Sequence, residues 1–176
     1  MSALLGRLED DAGAAVWRAR IDAEVDPRAK LERFAQWSRQ LFSTGSDVIA
    51  AALGAGGDPM VLELRTQGDR NAREWLGPVV AALADAGALR AGLSQREAVD
   101  RAWMFAGPEV YFRATDGCGW DGDAYERWPT SLLCDQLLTG PAPVAATAPV
   151  AGPAPAAATW SRSRRAAPAS GARRRR

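Results

Sequence analysis

Reactive side chains are few in this chain, and none of them stands in a catalytic pattern. The sequence contains no His, which removes the commonest general base and the commonest metal ligand. Cys118 and Cys134 lie 16 positions apart without a CxxC pair, so two reduced thiols are expected rather than a zinc site. The serines have no base partner, and no GxGxxG or Walker pattern occurs. We therefore predict a protein that is not an enzyme and that needs no metal ion or other cofactor.

Two closely spaced carboxylate pairs are the remaining candidates for acid–base or metal chemistry. These are Asp10-Asp11 and Asp121 with Asp123. Neither belongs to a Gly-centred loop with alternating acidic residues, and no His completes a ligand set. A solvated surface is the expected role of both pairs.

Large apolar and aromatic side chains at helical spacing point instead to binding. The chain has seven Trp, and rings of this size need a core, an interface or a pocket. Pockets for small ligands combine apolar walls with a few polar groups, which Gln67, Arg70 and Asn71 can supply. Ordinary core packing is the alternative for each aromatic residue. The predicted ligand-binding residues are Phe34, Trp37, Leu41, Leu64, Gln67, Asn71, Trp75 and Trp103.

Helix signals surround these residues, and strand signals are nearly absent. Asp26 and Asp58 each precede a Pro, as at a helix N-terminus, and Ser94 with Glu97 has the form of a capping box. Ser46 is expected to cap a short helix. The pattern predicts an all-α fold, an antiparallel bundle of about six helices. Breaks or bends are expected at Gly68, Gly77-Pro78 and Pro129.

Charge and composition divide the chain into three regions. Residues through Leu138 carry 15 basic and 21 acidic side chains, whereas residues from Thr139 onward carry seven Arg and no acidic residue. The predicted regions are a helical lead-in at residues 1–25, a domain at 26–138 and a disordered Ala/Pro/Arg-rich tail at 139–176. No run of 18 apolar residues and no secretory signal occurs, so the expected location is cytoplasmic.

The order of elements in the domain resembles that of TetR-type transcriptional regulators. The resemblance covers about residues 26–138 and includes the capped helices that begin near Asp26 and Asp58. In its C-terminal half it rests on Gly92-Leu93-Ser94, Ala98, Trp103, Gly107-Pro108-Glu109-Val110-Tyr111, Gly119-Trp120-Asp121, Tyr125 and Trp128.

The resemblance implies a domain that encloses an apolar pocket for a small effector and that dimerises through its last helices. In such regulators the effector alters an N-terminal domain that binds DNA. Only about 25 residues precede Asp26 here, and they are rich in acidic side chains, so we expect that domain to be missing and DNA contact to be limited to weak binding by the Arg tail.

A stripe on the last helix, together with Tyr111, is the predicted homodimer interface. Packing within one chain is the alternative for this stripe, and Pro129 leaves the dimer geometry open. The predicted interface residues are Tyr111, Tyr125, Trp128, Leu132 and Leu133.

The sequence is also compatible with a function other than transcriptional regulation. The chain could be a small helical interaction protein whose Arg tail binds nucleic acid or another polyanion. With 21 Arg and one Lys the gene looks GC-rich, so the tail could also be a frameshift product and the missing domain a truncation.

Overall fold

A computed structural model of the protein describes residues 2–55 and 57–140, which form an all-α bundle, as predicted. Within this part of the chain no strand occurs beyond one isolated bridge between Leu89 and Leu138. Helices α3 to α8 lie in the region predicted to be a bundle of about six, and residues 1–25 supply two more. The helices are α1 (Ser2–Asp11), α2 (Ala14–Ala23), α3 (Pro27–Thr44), α4 (Ser46–Gly54), α5 (Pro59–Asp85), α6 (Gln95–Phe105), α7 (Pro108–Phe112) and α8 (Gly122–Leu137), with a π-helix at Arg113–Gly117.

Side-chain caps begin four of the helices. Asp26 accepts a hydrogen bond from the Ala29 backbone N–H at 2.7 Å, and Asp58 accepts one from the Met60 N–H at 2.8 Å. Ser94 and Asp121 cap α6 and α8 in the same way. Each cap satisfies an N–H group that has no partner inside its helix.

Two details of the predicted caps are wrong. Ser46 is the first residue of α4, and Gly45 takes the cap position without a side-chain bond. In the predicted capping box, Ser94 Oγ accepts from the Glu97 N–H at 3.2 Å, but the Glu97 carboxylate pairs with Arg101 at 2.7 Å instead of returning to the cap.

Helices α5 and α8 continue through residues that were expected to break or bend them. Helix α5 includes Gly68, Gly77 and Pro78 without interruption, and α8 includes Pro129. The Pro78 ring lies on the exposed side of α5, where it leaves the buried stripe intact. Tertiary packing along both helices outweighs the lost backbone hydrogen bonds.

The core lies where α3, α5, α6 and α8 meet. Helix α3 packs against α8, α5 packs against α6, and α6 packs against α8. Large side chains that are completely or almost completely buried within these helices include Leu31, Leu76, Leu83, Leu133 and Leu137. Apolar burial of this kind is the main term that stabilises the bundle.

The N-terminal helices close one side of this bundle. Helix α2 packs against α3, and α1 packs against α3 and α5. Lys30, the only Lys of the chain, is 7% exposed. Its ammonium group donates to the backbone carbonyl of Ile21 at 2.6 Å and so satisfies the C-terminal end of α2.

The end of α8 is tied to the loop before α6. The Arg90 N–H donates to the Leu137 carbonyl at 2.8 Å, and the Thr139 N–H donates to the Ala88 carbonyl at 2.9 Å. Thr139, which was assigned to the tail, therefore still belongs to the bundle. The rest of the predicted disordered tail, from residue 141 onward, lies outside the described residues.

Candidate ligand-binding cavity

A partly open cavity of about 150 Å³ lies between α1, α3, α4, α5 and the junction of α6 with α7. Its walls are mainly apolar, which is the character of a site for a small organic ligand. Seven of the eight predicted ligand-binding residues line it. They are Phe34, Trp37, Leu41, Leu64, Asn71, Trp75 and Trp103.

Small residues on the inner face of α5 leave this space open. Leu64, Gly68, Ala72 and Trp75 follow one another at intervals of three or four residues and line the cavity. Such residues share one helix face. A Cβ atom built on Gly68 would meet nothing within 4 Å. The space therefore exists because two small residues stand between Leu64 and Trp75.

Two tryptophans from different helices stack in the cavity wall. The Trp37 and Trp75 ring centroids are 4.5 Å apart, and the ring planes are 21° from parallel. The Arg18 guanidinium carbon of α2 lies 3.7 Å from the Trp75 centroid. Because two groups at these separations cannot share one ring face, Trp75 is held between Trp37 and Arg18. The stack fixes one wall of the cavity.

A second guanidinium packs on Trp103, another tryptophan that lines the cavity. The Arg73 guanidinium carbon lies 4.1 Å from the Trp103 ring centroid, and its Nη2 is 3.8 Å from Asp100. Arg73 joins α5 to α6 in this way and holds the Trp103 ring at the cavity. Neither Arg18 nor Arg73 lines the cavity itself.

A chain of polar side chains crosses from α5 to α1 at the cavity. Arg70 donates to Gln67, Gln67 donates to Asn71, and Asn71 donates to Glu9, each at 2.8 Å. Asn71 and Glu9 line the cavity, whereas Gln67 does not. Of the three polar residues predicted to face the pocket, Asn71 therefore lines it, whereas Gln67 and Arg70 stand behind it, and Gln67 orients the Asn71 side chain.

The rim near α7 carries an ion pair. Arg65 of α5 and Glu109 of α7 both line the cavity, and their side chains approach to 3.3 Å. Both side chains are about half exposed, so the pair contributes little to stability. It adds two charged groups to one edge of the mainly apolar site.

Several lining residues were missed in the sequence analysis. Leu5, Leu8 and Glu9 come from the segment taken as a lead-in, and Val48 and Leu53 come from α4. The three residues of α1 lie at three- and four-residue spacing, and this periodicity was the available signal. Their place over α3 and α5 is a tertiary contact that local patterns do not encode.

The predicted dimer interface is wrong in part. Tyr125 and Leu133 are 0% exposed within the single chain, where α8 packs against α3 and α6. Residues with no exposed surface cannot form an intersubunit contact. Half-buried Tyr111 packs against the Phe42 and Tyr125 rings at 5.7 and 4.9 Å.

The remaining predicted interface residues of α8 lie on its outer face. Trp128 is 41% exposed, and Leu132 is partly exposed. Trp120, in the loop before α8, is 36% exposed and meets Trp128 edge to face at 6.0 Å. This aromatic pair lies on the surface of the described bundle.

Burial shifts the pKa values of two groups on the inner side of α8. The Tyr125 hydroxyl has no hydrogen-bond partner among the described residues, and burial, followed by the nearby Tyr111, raises the pKa of Tyr125. Burial also raises the pKa of the Cys134 thiol. Both groups therefore remain protonated in the folded chain at neutral pH.

Both cysteines are free thiols, and Cys118 is exposed whereas Cys134 is buried. Within residues 2–55 and 57–140 no group of three or more His, Cys, Asp or Glu side chains is placed to hold a metal ion. In the same part of the chain no helix is long and apolar enough to cross a membrane.

Comparisons with protein-family models, with curated proteins and with solved structures found no match to this chain.

Proposed function

We propose that the described bundle is a receptor domain for a small apolar ligand, and that the protein acts as the effector-binding part of a TetR-type transcriptional regulator. The observation that carries the first half is the cavity, into which Trp37, Trp75 and Trp103 project from three helices. Sites that bury small organic molecules have this combination of apolar walls and a few placed polar groups.

The volume limits the size of the ligand. A cavity of about 150 Å³ is of the size that accommodates benzene in an engineered apolar site. Drug-sized ligands occupy roughly 300–1,000 Å³. The proposed effector therefore has an apolar body near the size of a single aromatic ring.

The contacts of helices α1 and α2 with the cavity support a regulatory role. Leu5, Leu8 and Glu9 of α1 line it, and Arg18 of α2 stacks on a ring in its wall. A ligand that displaces this wall acts directly on α1 and α2. Coupling a ligand site to a second element is what an effector domain requires, and this agrees with the TetR-like order of elements in the sequence.

Ligand binding is tested by calorimetry and intrinsic Trp fluorescence with benzene, toluene and indole. We expect at least one of them to bind and to change the Trp emission. Ala52 of α4 lines the cavity, and its exposed neighbour Ala51 does not. Ala52→Leu should therefore weaken binding, whereas Ala51→Leu should not. Failure of all three probes, or equal effects of the two variants, would reject the cavity as the binding site.

The coupling is tested by hydrogen exchange with and without the ligand found above. We expect slower amide exchange in α1 and α2 as well as in α3 and α5. Changes confined to α3 and α5 would show a ligand site without a link to the N-terminal helices, and would remove the support for a regulator.

Dimerisation is proposed through the outer face of α8, where Trp128 and Leu132 keep exposed surface. Two copies of one face that pack on each other form a two-fold dimer. Sedimentation at tens of micromolar should give a dimeric mass for the full chain and a monomeric mass for Trp128→Glu. A monomeric mass of the unaltered chain would exclude the dimer.

A further inference from the structure

Charged groups are unevenly distributed around the cavity. Among the described residues, three carboxylates line it, from Glu9, Asp69 and Glu109, against one guanidinium, from Arg65. Arg65 is already paired with Glu109. The described lining of the cavity therefore has an excess of negative charge at Glu9 and Asp69.

Glu9 is the carboxylate of this excess that is best placed to meet a ligand. It is half-buried, whereas Asp69 is exposed and its charge is screened by water. The Asn71 amide donates to Glu9 Oε1 at 2.8 Å and fixes the orientation of the carboxylate. Among the described residues no Lys or Arg forms a salt bridge with Glu9.

The surroundings of Glu9 strengthen its preference for a positive partner. Asn71 is one helical turn before Trp75 on α5, so the carboxylate lies beside the apolar part of the cavity. Two charges interact more strongly next to apolar walls than in open water.

We propose that the ligand is a small primary amine, with an apolar body among the tryptophans and a protonated amino group at the Glu9 carboxylate. This inference rests on the proposed function of the cavity as a ligand site. An ammonium group supplies three donors and one positive charge, which matches the free lone pairs and unbalanced charge of Glu9. A carboxylate-bearing ligand of the same size is repelled.

The experiment compares three ligands of nearly equal size and different charge by calorimetry at pH 7 in phosphate buffer. They are benzylamine, benzyl alcohol and benzoate. We expect benzylamine to bind about tenfold more tightly than benzyl alcohol, which corresponds to one charge-assisted hydrogen bond. Benzoate should bind at least about tenfold more weakly than the alcohol. Raising the NaCl concentration should weaken benzylamine binding and leave the alcohol unaffected.

Two variants on α1 assign the preference to one carboxylate. Glu9→Gln keeps an acceptor for Asn71 and removes the charge, so benzylamine should fall to the affinity of benzyl alcohol while the alcohol itself changes less than about twofold. Asp10→Asn removes a charge from the next residue, which is exposed and does not line the cavity. This variant should keep the full preference for the amine.

The outcomes separate the two proposals. Equal binding of benzylamine and benzyl alcohol, or loss of both ligands in Glu9→Gln, would overturn the amine assignment while the cavity remains a ligand site. A preference that disappears equally in Asp10→Asn would show general surface attraction and would also overturn it. If none of the three ligands binds while benzene, toluene or indole does, the amine assignment is overturned and the cavity remains a ligand site. If those apolar probes fail as well, the proposed function is rejected too.

Discussion

Trp37 and Trp75 stack 4.5 Å apart, and Arg18 covers the other face of Trp75 at 3.7 Å. Three helices, α2, α3 and α5, meet in this one column of planar groups. The column is at once a wall of the cavity and a contact that holds the N-terminal helices on the bundle. Its integrity therefore affects both stability and binding.

Replacing Arg18 by Ala should destabilise the bundle by about 1 kcal/mol, since a guanidinium over a largely buried indole contributes roughly 0.5–2 kcal/mol. Urea unfolding measured by circular dichroism gives this difference. Arg20→Ala is the matched control, because Arg20 is exposed and lies 5.2 Å from the Trp17 centroid. Equal losses in the two variants would contradict a specific role of the stack.

Replacing Lys30 by Met should cost about 2 kcal/mol. The apolar stem is retained, but the Ile21 carbonyl loses a charge-assisted hydrogen bond of 2.6 Å in a buried position. Arg28→Met, an exposed change on the same helix, should stay within about 0.5 kcal/mol. Chemical denaturation of both variants measures the two losses. A Lys30→Met protein as stable as the unaltered one would argue against the buried ammonium as the cap of α2.

Replacing Tyr125 by Phe should leave the bundle as stable or raise its stability by about 1 kcal/mol at pH 7. The hydroxyl is buried without a partner among the described residues, and an unsatisfied buried group costs roughly 1–3 kcal/mol. Thermal and urea unfolding would detect the change. A clear loss of stability would reveal a hydrogen bond that the hydroxyl makes in solution.

The same variant should alter the alkaline stability profile. Burial raises the pKa of Tyr125 above its usual 10.0 in the folded chain only. Above pH 10 the unfolded chain therefore releases this proton while the folded chain keeps it, and stability falls as pH rises. In Tyr125→Phe the fall should be smaller, and Cys134, whose pKa burial also raises, contributes to what remains. An unchanged profile would contradict the buried, protonated hydroxyl.

Two glycines near the α1 contact should respond in opposite directions to substitution by Ala. A Cβ atom on Gly45 would lie 2.5 Å from Leu8 Cδ1, whereas one on Gly6 would meet nothing within 4 Å. Gly45→Ala should therefore cost about 1–3 kcal/mol through overpacking, and Gly6→Ala in α1 should gain about 0.5–1 kcal/mol. Melting temperatures report the signs. A stabilised Gly45→Ala would mean that α1 is not seated on that site.

Local signals predicted the helices and several of their N-termini better than they predicted the helix breaks and the contacts. Asp26, Asp58 and Ser94 cap helices where expected, because a cap needs only its own neighbours in sequence. The break expected at Pro78 does not occur, because helix propensity is a weak preference beside the packing of a long buried stripe.

The apolar spacing on α8 does not predict which face of the helix packs within the chain. Apolar residues occur on both sides of this helix, at Tyr125 and Leu133 and at Trp128 and Leu132. Sequence spacing alone does not say which side packs within the chain, and the structure buries the first pair. The reason is the position of α3 and α6, which is a contact between residues far apart in sequence.

The amino-acid sequence by itself determined that the chain is helical, where most of its helices begin, and that its large aromatic residues fall on a few helix faces. These properties depend on interactions within a few residues of one another. Only the tertiary structure decided that α1 covers the cavity, that Gly68 and Ala72 open it, and that Glu9 meets Asn71 62 positions further along the chain. Such contacts follow from how whole helix faces exclude water together, and no local pattern encodes that arrangement.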